Sequence, residues 1–187
     1  QRAALVHAFF TERQASKVDG LPADTPVRDI KSAAVIGGGT MGVGIAMCFA
    51  NAGIPVKILE ISEAARDAAI QRARDTYGMS VKRGSLTEAA LEKRMALVSG
   101  ITDYADLADV DVVVEAVFED MGVKQKVFEA LDAHCKPGAI LASNTSSLDL
   151  NQIARFTKRP EDVVGLHFFS PANVMRLLEV VRGEQTS

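Results

Sequence analysis

The feature that most constrains the fold of this chain is the glycine-rich run at residues 37–42, GGGTMG, which fits the pattern GxGxxG. An apolar segment ending at Ile36 precedes the run, and a helical pattern follows it. In a strand–turn–helix unit, Gly37 allows a tight turn, Gly39 lets the backbone approach a pyrophosphate, and Gly42 lets the helix pack closely against the strand. Because the helix N-terminus also presents unpaired N–H groups and a partial positive charge, the run predicts a dinucleotide-binding turn.

An acidic residue at the end of the next predicted strand supports this interpretation. Residues 55–59 form a largely apolar segment that is followed directly by Glu60. A carboxylate at this point accepts hydrogen bonds from both hydroxyls of the adenosine ribose and repels a 2′-phosphate, which favours NAD over NADP. The alternative is a glycine turn that serves packing, with Glu60 a solvated strand end.

Predicted strands and helices alternate from residue 32 to the last residue. The strands are predicted at residues 33–36, 55–59, 96–98, 111–115, 139–142, 163–166 and 177–181. The helices are predicted at 40–51, from 63 onward with interruptions at Gly78 and Gly84, and at 86–95, 120–134 and 149–156. The strand segments are continuously apolar, which indicates that both faces of the sheet are covered. Right-handed crossovers then favour an α/β fold of the Rossmann type, a doubly wound, mostly parallel sheet with helices on both faces.

The first 30 residues differ in character from the rest. Residues 1–16 carry apolar side chains at a helical spacing, and residues 17–31 contain Gly20, Pro22 and Pro26, which is a linker composition. We expect residues 1–30 to be a leading helix and linker from an upstream domain, and residues 31–187 to be the nucleotide-binding domain. Because the first residue is Gln rather than Met, we expect a piece of a longer protein.

Composition and charge exclude several classes of function. The 187 residues suit roughly one domain. The chain has 21 Lys and Arg against 24 Asp and Glu, a net charge of −3, which argues against nucleic acid and anionic membranes as partners. No apolar run approaches the ~18 residues of a membrane span. The two cysteines, Cys48 and Cys135, form no CxxC pair, so we expect packed thiols and no metal site.

Polar residues that follow predicted strands are the candidates for chemistry. Residues 143–147 are rich in hydroxyls, and His167 lies at the end of an apolar strand, where an imidazole acts as an acid or base near neutral pH. Glu179 lies inside another apolar strand, where an unpaired carboxylate costs several kcal/mol. We therefore predict that Glu179 pairs with His167 and fixes its tautomer. The alternative is a buried pair with a structural role.

Four sequence runs, taken in order, resemble one family. They are GGGTMGVGIA, VVVEAVFEDMGVKQKVF, ASNTSSL and GLHFFSPANVMRLLEVVRG, between residues 37 and 183. Together they resemble the NAD-binding domain of L-3-hydroxyacyl-CoA dehydrogenases, as found in multifunctional enzymes of fatty-acid β-oxidation. The resemblance implies an oxidoreductase that converts L-3-hydroxyacyl-CoA into 3-ketoacyl-CoA by hydride transfer to NAD. It also implies that His167 is the base, that Glu179 orients it, and that Ser146 binds the substrate oxygen.

The resemblance extends to the cofactor site. It implies contacts with NAD from Gly37, Gly39, Thr40, Met41, Gly42, Glu60, Ala116, Glu119, Lys124, Ser146 and Ser170. Glu119 and Lys124 match positions that line the nicotinamide ribose, although they also suit the charged first turn of a helix. Ser170 stands where many members have Asn, and serine is shorter but still polar.

The resemblance also implies further domains. In the multifunctional enzymes an enoyl-CoA hydratase/isomerase domain lies upstream, and a helical dimerisation domain with a catalytic Asn lies downstream. Residues 66–83 have an excess of cations, which suits either the phosphates of CoA or a solvated helix face.

Two alternatives to this function remain open. One is an NAD-binding module that is inactive in isolation, and the other is a dehydrogenase of small β-hydroxy acids, which would often use a Lys base. A bacterial cytoplasm is the expected compartment, with a peroxisome as the alternative.

Overall fold

The computed structural model describes residues 2–15, 17, 22 and 24–187. The strands are β1 Ala33–Ile36, β2 Val56–Leu59, β3 Val98–Ile101, β4 Val112–Glu115, β5 Ile140–Ser143, β6 Val163–Phe168 and β7 Leu178–Arg182. The helices are α1 Arg2–Ala15, α2 Thr40–Asn51, α3 Glu63–Lys82, α4 Glu88–Met95, α5 Met121–His134 and α6 Leu150–Ala154. Two short 3₁₀ turns lie at Tyr104–Leu107 and Pro160–Asp162.

The strands form one sheet in the order β3-β2-β1-β4-β5-β6-β7. The first six are parallel to one another, and β7 is antiparallel to β6. The chain moves outward in one direction from β1 to β3 and then returns to the other side of β1 at β4. The gap between β1 and β4 is therefore the switch point of a doubly wound sheet, where such folds bind ligands. This order confirms the predicted fold class.

The core lies in two layers, one on each face of the sheet. On β1, Ala33 and Val35 face a cluster that holds α2, α3 and α4, whereas Ala34 and Ile36 face a cluster that holds α5 and α6. All four residues are at most 2% exposed. This burial on both faces explains why the strand is continuously apolar rather than alternating.

Side-chain caps set the starts of four helices. Each of α3, α4, α5 and α6 begins directly after a polar residue whose side chain accepts a backbone N–H of the first turn. These residues are Ser62, Thr87, Asp120 and Asp149. A cap of this kind stabilises a helix start by about 1 kcal/mol, because it satisfies a donor that has no partner within the helix.

Several predicted boundaries differ from the structure, and two of the differences have a clear physical cause. Helix α3 runs through Gly78, since a single interior glycine costs only about 1 kcal/mol and the buried Ala73 and Tyr77 hold the helix against the core. The third strand begins at Val98 rather than at Ala96, because Ala96 forms the C-cap of α4. In both places tertiary packing overrides the local pattern.

The last strand also departs from expectation. Leu177–Val181 was expected to be a buried apolar strand, but β7 is an antiparallel edge strand and all five of its residues are exposed. The predicted burial of Glu179 is therefore wrong, and its side chain is 52% exposed. Its pairing with a histidine does not arise from the cost of burying a lone carboxylate.

The helix predicted in the N-terminal region is present in the structure. Helix α1 covers Arg2–Ala15, and none of its residues is buried. Residues 1 and 16 of the predicted helix and residues 18–21 and 23 of the predicted linker, Gly20 among them, lie outside the described residues. Among the helices that the structure describes, none combines the length and the apolar character needed to cross a membrane.

The two cysteines are packed thiols, as predicted. Cys135 is buried in the layer that holds α5, and Cys48 is half-buried on α2. Burial raises the pKa of both thiols, to about 11 for Cys135 even though the nearby charge of Arg159 acts in the opposite direction. Neither thiol is therefore ionised near neutral pH.

Candidate functional site

The glycine-rich turn connects β1 to α2 at the switch point of the sheet. Gly37 has φ of +95°, a conformation that glycine adopts without strain. A methyl group on Gly42 would overlap the carbonyl oxygen of Gly37, so α2 approaches the turn more closely than any side chain allows. A methyl group on Gly39 would meet no protein atom within 4 Å. Packing within the protein therefore requires Gly42, whereas the space in front of Gly39 is open to a ligand.

The start of α2 is suited to a phosphate group. Its N-cap is Gly39, which has no side chain to occupy the N–H groups of the first turn. Unpaired N–H groups and the positive end of the helix dipole attract anions at such a position. The turn thus fits the pyrophosphate of a dinucleotide.

Glu60 lies beside the turn, at the end of β2. Its Oε1 accepts the N–H of Gly38 at 2.6 Å, and its Oε2 accepts the N–H of Ile61 at 3.2 Å. A carboxylate has about four acceptor directions, so two remain for ribose hydroxyls. The negative charge at this point disfavours a 2′-phosphate.

A cleft of about 330 Å³ opens at the carboxyl ends of β5 and β6. It is lined by Met41, Glu119, Asn144, Ser146, His167, Phe168, Phe169 and Ser170. Met41 belongs to the first turn of α2, so the cleft adjoins the glycine-rich turn. The structure thus brings Ser146, His167 and Ser170 together next to the predicted phosphate site.

His167 and Glu179 form a cross-strand pair. The two residues lie directly opposite each other on β6 and β7, and Nδ1 of His167 is 2.8 Å from Oε2 of Glu179. The imidazole is 22% exposed and its ring centroid lies 4.6 Å from that of Phe169. With Nδ1 engaged by the carboxylate, Nε2 is the ring nitrogen left for proton transfer.

Glu119 holds the loop that carries Ser146. Its Oε1 accepts the hydroxyl of Thr145 at 2.5 Å and the N–H of Ser146 at 2.9 Å. Partial burial acts to raise the pKa of Glu119, but the Thr145 hydroxyl, the Ser146 N–H and the Lys124 ammonium outweigh it and hold this pKa below its usual range. Glu119 is therefore a carboxylate that orders one side of the cleft.

Lys124 is buried beneath this loop, on the first turn of α5. It is 1% exposed, and its Nζ lies 2.7 and 2.8 Å from the two oxygens of Glu115 and 3.1 Å from Oε2 of Glu119. An ammonium has three N–H donors, so a carboxylate oxygen faces each one. Lys124 therefore influences the cleft through Glu119.

Two residues around the cleft were not singled out as site residues by the sequence analysis. Asn144 accepts the N–H of Phe168 at 2.9 Å and so connects the end of β5 to the end of β6. Glu115 is fully buried at the end of β4, although it lies in an acidic stretch that is typical of a solvated surface. The available signal was a carboxylate at the end of the most apolar strand, followed nine residues later by Lys124.

The cations of residues 66–83 are partly engaged within the protein. Arg66 pairs with Asp67, Arg74 pairs with Glu92, and Arg72 donates to the carbonyl oxygen of Gly38. Much of the positive charge of α3 therefore serves contacts with the turn and with α4, which favours the helix-face interpretation of this segment.

A model of one protein family matches residues 32–187, and its description is 3-hydroxyacyl-CoA dehydrogenase, NAD binding domain. The chain belongs to this family. The match confirms the predicted family and identifies NAD as the nucleotide. It covers the sheet and all helices from α2 onward, so the glycine-rich turn, Glu60 and the cleft all lie within the family domain.

Similar proteins support the assignment to 3-hydroxyacyl-CoA dehydrogenase NAD-binding domains. The peroxisomal fatty acid beta-oxidation multifunctional protein MFP2 of Arabidopsis thaliana is 44% identical over 98% of this chain and 25% of its own length. The fatty acid oxidation complex subunit alpha of a Shewanella strain is 42% identical over 98% of this chain and 26% of its own length. The structure of 3-hydroxybutyryl-CoA dehydrogenase from Escherichia coli matches with a TM-score of 0.83 and 41% identity, over 86% of this chain and 34% of that one.

These relatives are much longer than the family domain. The chain spans about a quarter of the length of the curated relatives it matches. They include peroxisomal plant proteins and bacterial proteins. The family thus occurs as one part of larger β-oxidation proteins, both in plant peroxisomes and in bacteria.

Proposed function

We propose that this domain binds NAD across the switch point and forms half of the active site of an L-3-hydroxyacyl-CoA dehydrogenase. The pyrophosphate lies at the start of α2, near Gly39, Thr40 and Met41. The adenosine ribose lies at Glu60. The nicotinamide half lies along Ala116 and Glu119, with Lys124 buried behind Glu119, and reaches the cleft that holds Ser146 and Ser170. The resemblance of the cofactor-site runs and the open space in front of Gly39 support this arrangement.

The reaction proposed is the oxidation of the C3 hydroxyl of a 3-hydroxyacyl-CoA to a ketone. Bound NAD supplies the hydride acceptor. Nε2 of His167 takes the hydroxyl proton, and the carboxylate of Glu179 holds the imidazole in the required tautomer and stabilises the imidazolium that forms. Ser146 donates a hydrogen bond to the substrate oxygen and holds C3 in position.

The His167–Glu179 pair carries this proposal. It is an oriented acid–base pair in a cleft that adjoins a dinucleotide turn, and both features belong to one family domain. A dehydrogenase that used a lysine base would not need this pair. The names of the relatives point to acyl-CoA substrates of β-oxidation.

The whole protein is proposed to be larger than this domain. The resemblance implies an upstream hydratase/isomerase domain and a downstream helical domain that completes the site and forms a dimer. The curated relatives, of which this chain spans about a quarter, support a longer protein. A bacterial cytoplasm or a peroxisome is the proposed compartment, because the relatives include both bacterial and peroxisomal proteins.

One observation favours a second candidate for the 187-residue chain, which is NAD binding without turnover. The side chain of Glu179 is 52% exposed, so water has access to the catalytic pair from the side of β7. Hydride transfer is favoured in a site that excludes water. NADH titration and acetoacetyl-CoA reduction, measured on the chain and on the whole protein that carries it, separate the two candidates. If the chain binds NADH saturably and only the whole protein reduces acetoacetyl-CoA, the chain is an NAD-binding module without turnover.

The first prediction tests His167 in the whole protein. We expect His167→Ala to lower kcat for NADH-dependent acetoacetyl-CoA reduction by roughly 10²–10⁴, because general acid–base catalysis contributes about this much. NADH affinity stays within about twofold of the wild type, since the nucleotide is held mainly by the turn and by Glu60. Stopped-flow fluorescence and steady-state kinetics measure the two quantities.

The control for this prediction is His7→Ala, on the exposed surface of α1. It is expected to leave both quantities unchanged. An unchanged kcat in His167→Ala would remove His167 from the proposed mechanism.

A further inference from the structure

The buried carboxylate of Glu115 has more contacts than strand pairing requires. Its Oε1 accepts the N–H of Val117 at 2.9 Å and its Oε2 accepts the hydroxyl of Ser143 at 2.6 Å. Both oxygens also accept N–H donors of Lys124. All four acceptor directions of the carboxylate are therefore used, and Glu115 joins β4, β5 and α5 at the carboxyl edge of the sheet.

Two routes lead from Glu115 to the loop that carries Ser146. In the first, the hydroxyl of Ser143 donates to Glu115 and accepts the N–H of Thr145 at 3.2 Å. In the second, Lys124 lies between Glu115 and Glu119, and Glu119 accepts both the hydroxyl of Thr145 and the N–H of Ser146. Both routes meet at Thr145, and the second also reaches the N–H of Ser146.

Stability by itself is a weak reason for this arrangement. Burying a carboxylate and an ammonium costs desolvation, and apolar residues of equal size are often as stable or more stable. An apolar pair at 115 and 124 would, however, offer no hydrogen bonds to Ser143 or Glu119. What the ion pair adds is a specific connection to the loop that lines the cleft.

We infer that Glu115 is a positioning residue for Ser146, acting through Ser143 on one side and through Lys124 and Glu119 on the other. It touches neither the cofactor cleft nor the substrate, since it is fully buried. The inference rests on the proposed function insofar as Ser146 binds the substrate oxygen. Errors of about 1 Å in such a position cost about 10²-fold in rate.

The variant that tests the inference directly is Glu115→Gln, but loss of a buried charge can prevent folding. Ser143→Ala is the milder variant, because it removes one hydrogen bond to Glu115 and one acceptor for Thr145 while the ion pair stays. Ser99→Ala, on the exposed surface of β3, is the matched control.

The first measurement is amide hydrogen exchange of Thr145 and Ser146 in the 187-residue chain, which does not depend on catalysis. We expect Ser143→Ala to increase exchange at these two amides by about tenfold or more. The Thr145 amide loses its acceptor, the Ser143 hydroxyl, and the loop that carries Ser146 loses its connection through Ser143 to the Glu115 carboxylate. Exchange in α2 should stay within about twofold of the wild type, as it should in Ser99→Ala. Unchanged exchange at Thr145 and Ser146 would overturn the inference.

The second measurement is a double-mutant cycle on kcat in the whole protein. We expect Ser143→Ala to lower kcat about tenfold in the wild-type background and less than about twofold in the Ser146→Ala background, since its effect passes through Ser146. Equal effects in both backgrounds would overturn the inference. If Ser146→Ala and His167→Ala both leave kcat unchanged, the proposed function fails and the positioning role fails with it, whereas hydrogen exchange still reports whether the physical connection exists.

Discussion

At the scale of single residues, the glycines of the turn have different physical reasons to be glycine. Gly42 is required by the protein itself, because a side chain there would overlap the carbonyl oxygen of Gly37. Gly39 has backbone angles that alanine adopts readily, with φ of −67° and ψ of −172°, and no protein atom faces it closely. The structure thus separates a glycine that packing requires from one that packing does not require and that we propose faces the pyrophosphate.

The second prediction compares alanine at these two positions. We expect Gly42→Ala to lower the free energy of unfolding by about 1–3 kcal/mol, because the new methyl group overpacks the turn. We expect Gly39→Ala to fold with wild-type stability but to bind NADH about tenfold more weakly, a loss of about 1.4 kcal/mol, because its methyl group occupies the pyrophosphate's space. Urea unfolding and NADH fluorescence titration measure the two effects.

Each glycine variant is the control for the other. Wild-type affinity for NADH in Gly39→Ala would contradict the position given to the pyrophosphate. Wild-type stability in Gly42→Ala would contradict the close contact between α2 and the turn.

At the scale of elements, an aspartate at the start of β4 connects three segments of the chain. Asp111 accepts the N–H groups of Lys31 and Ser32, just before β1, at 2.8 and 2.9 Å. Its other oxygen accepts Nζ of Lys136, from the turn after α5, at 2.6 Å. The Lys136 ammonium and then the backbone N–H groups hold the pKa of Asp111 well below its usual range. The carboxylate therefore aligns β1 with β4, the two strands that flank the switch point.

The third prediction concerns stability at acid pH. Because the pKa of Asp111 is lower in the folded state than the ~3.9 of an unfolded chain, its contribution is present above about pH 4 and is lost as pH falls further. We expect Asp111→Asn to cost about 1.5–3 kcal/mol at pH 7, the value of hydrogen bonds to a charged group. The difference from the wild type shrinks between pH 4 and pH 2. Urea unfolding at several pH values measures it.

The control for the acid prediction is Asp75→Asn on the exposed face of α3, which tests the general effect of removing a carboxylate. A difference between Asp111→Asn and the wild type that stayed constant down to pH 2 would contradict the linkage.

At the scale of the whole molecule, the site is shared by both layers of the fold. Helix α2 belongs to one layer and contributes Met41 to the cleft, whereas Lys124 on α5 belongs to the other. The sheet edge between them contributes Ser146 and His167. In the proposed complex a dinucleotide across this edge contacts both halves of the domain, so we expect its binding to stabilise the whole domain.

The fourth prediction is thermal stabilisation by the cofactor. At an NADH concentration of about 100 times Kd, binding adds about 2.7 kcal/mol to the free energy of unfolding. For a chain of 187 residues this corresponds to a rise in Tm of roughly 5–11 °C. We expect a much smaller rise with NADPH at the same concentration, because Glu60 repels the 2′-phosphate.

Differential scanning fluorimetry measures these shifts, with Gly39→Ala as a binding-deficient control. Equal shifts with NADH and NADPH would contradict the role of Glu60 in selecting the cofactor.

Much of the fold was predictable because its signals are local. The glycine-rich turn and the continuous apolar strands each depend on residues that are close in sequence. The same is true of the helix caps that the structure shows at Ser62, Thr87, Asp120 and Asp149. The errors arose where distant packing decides the outcome. Helix α3 continues through Gly78 because the core holds it, and β7 is exposed because it lies at the edge of the sheet.

The sequence by itself determined the doubly wound fold, the family and its nucleotide, because the residues that form the turn and the apolar strands are close together in the chain. It also indicated His167 and Glu179 as a pair. Only the tertiary structure decided that β6 and β7 align these two residues directly opposite each other, and that Glu115 lies buried between Lys124 and Ser143. Register and burial depend on contacts between segments far apart in sequence, and local patterns do not encode such contacts.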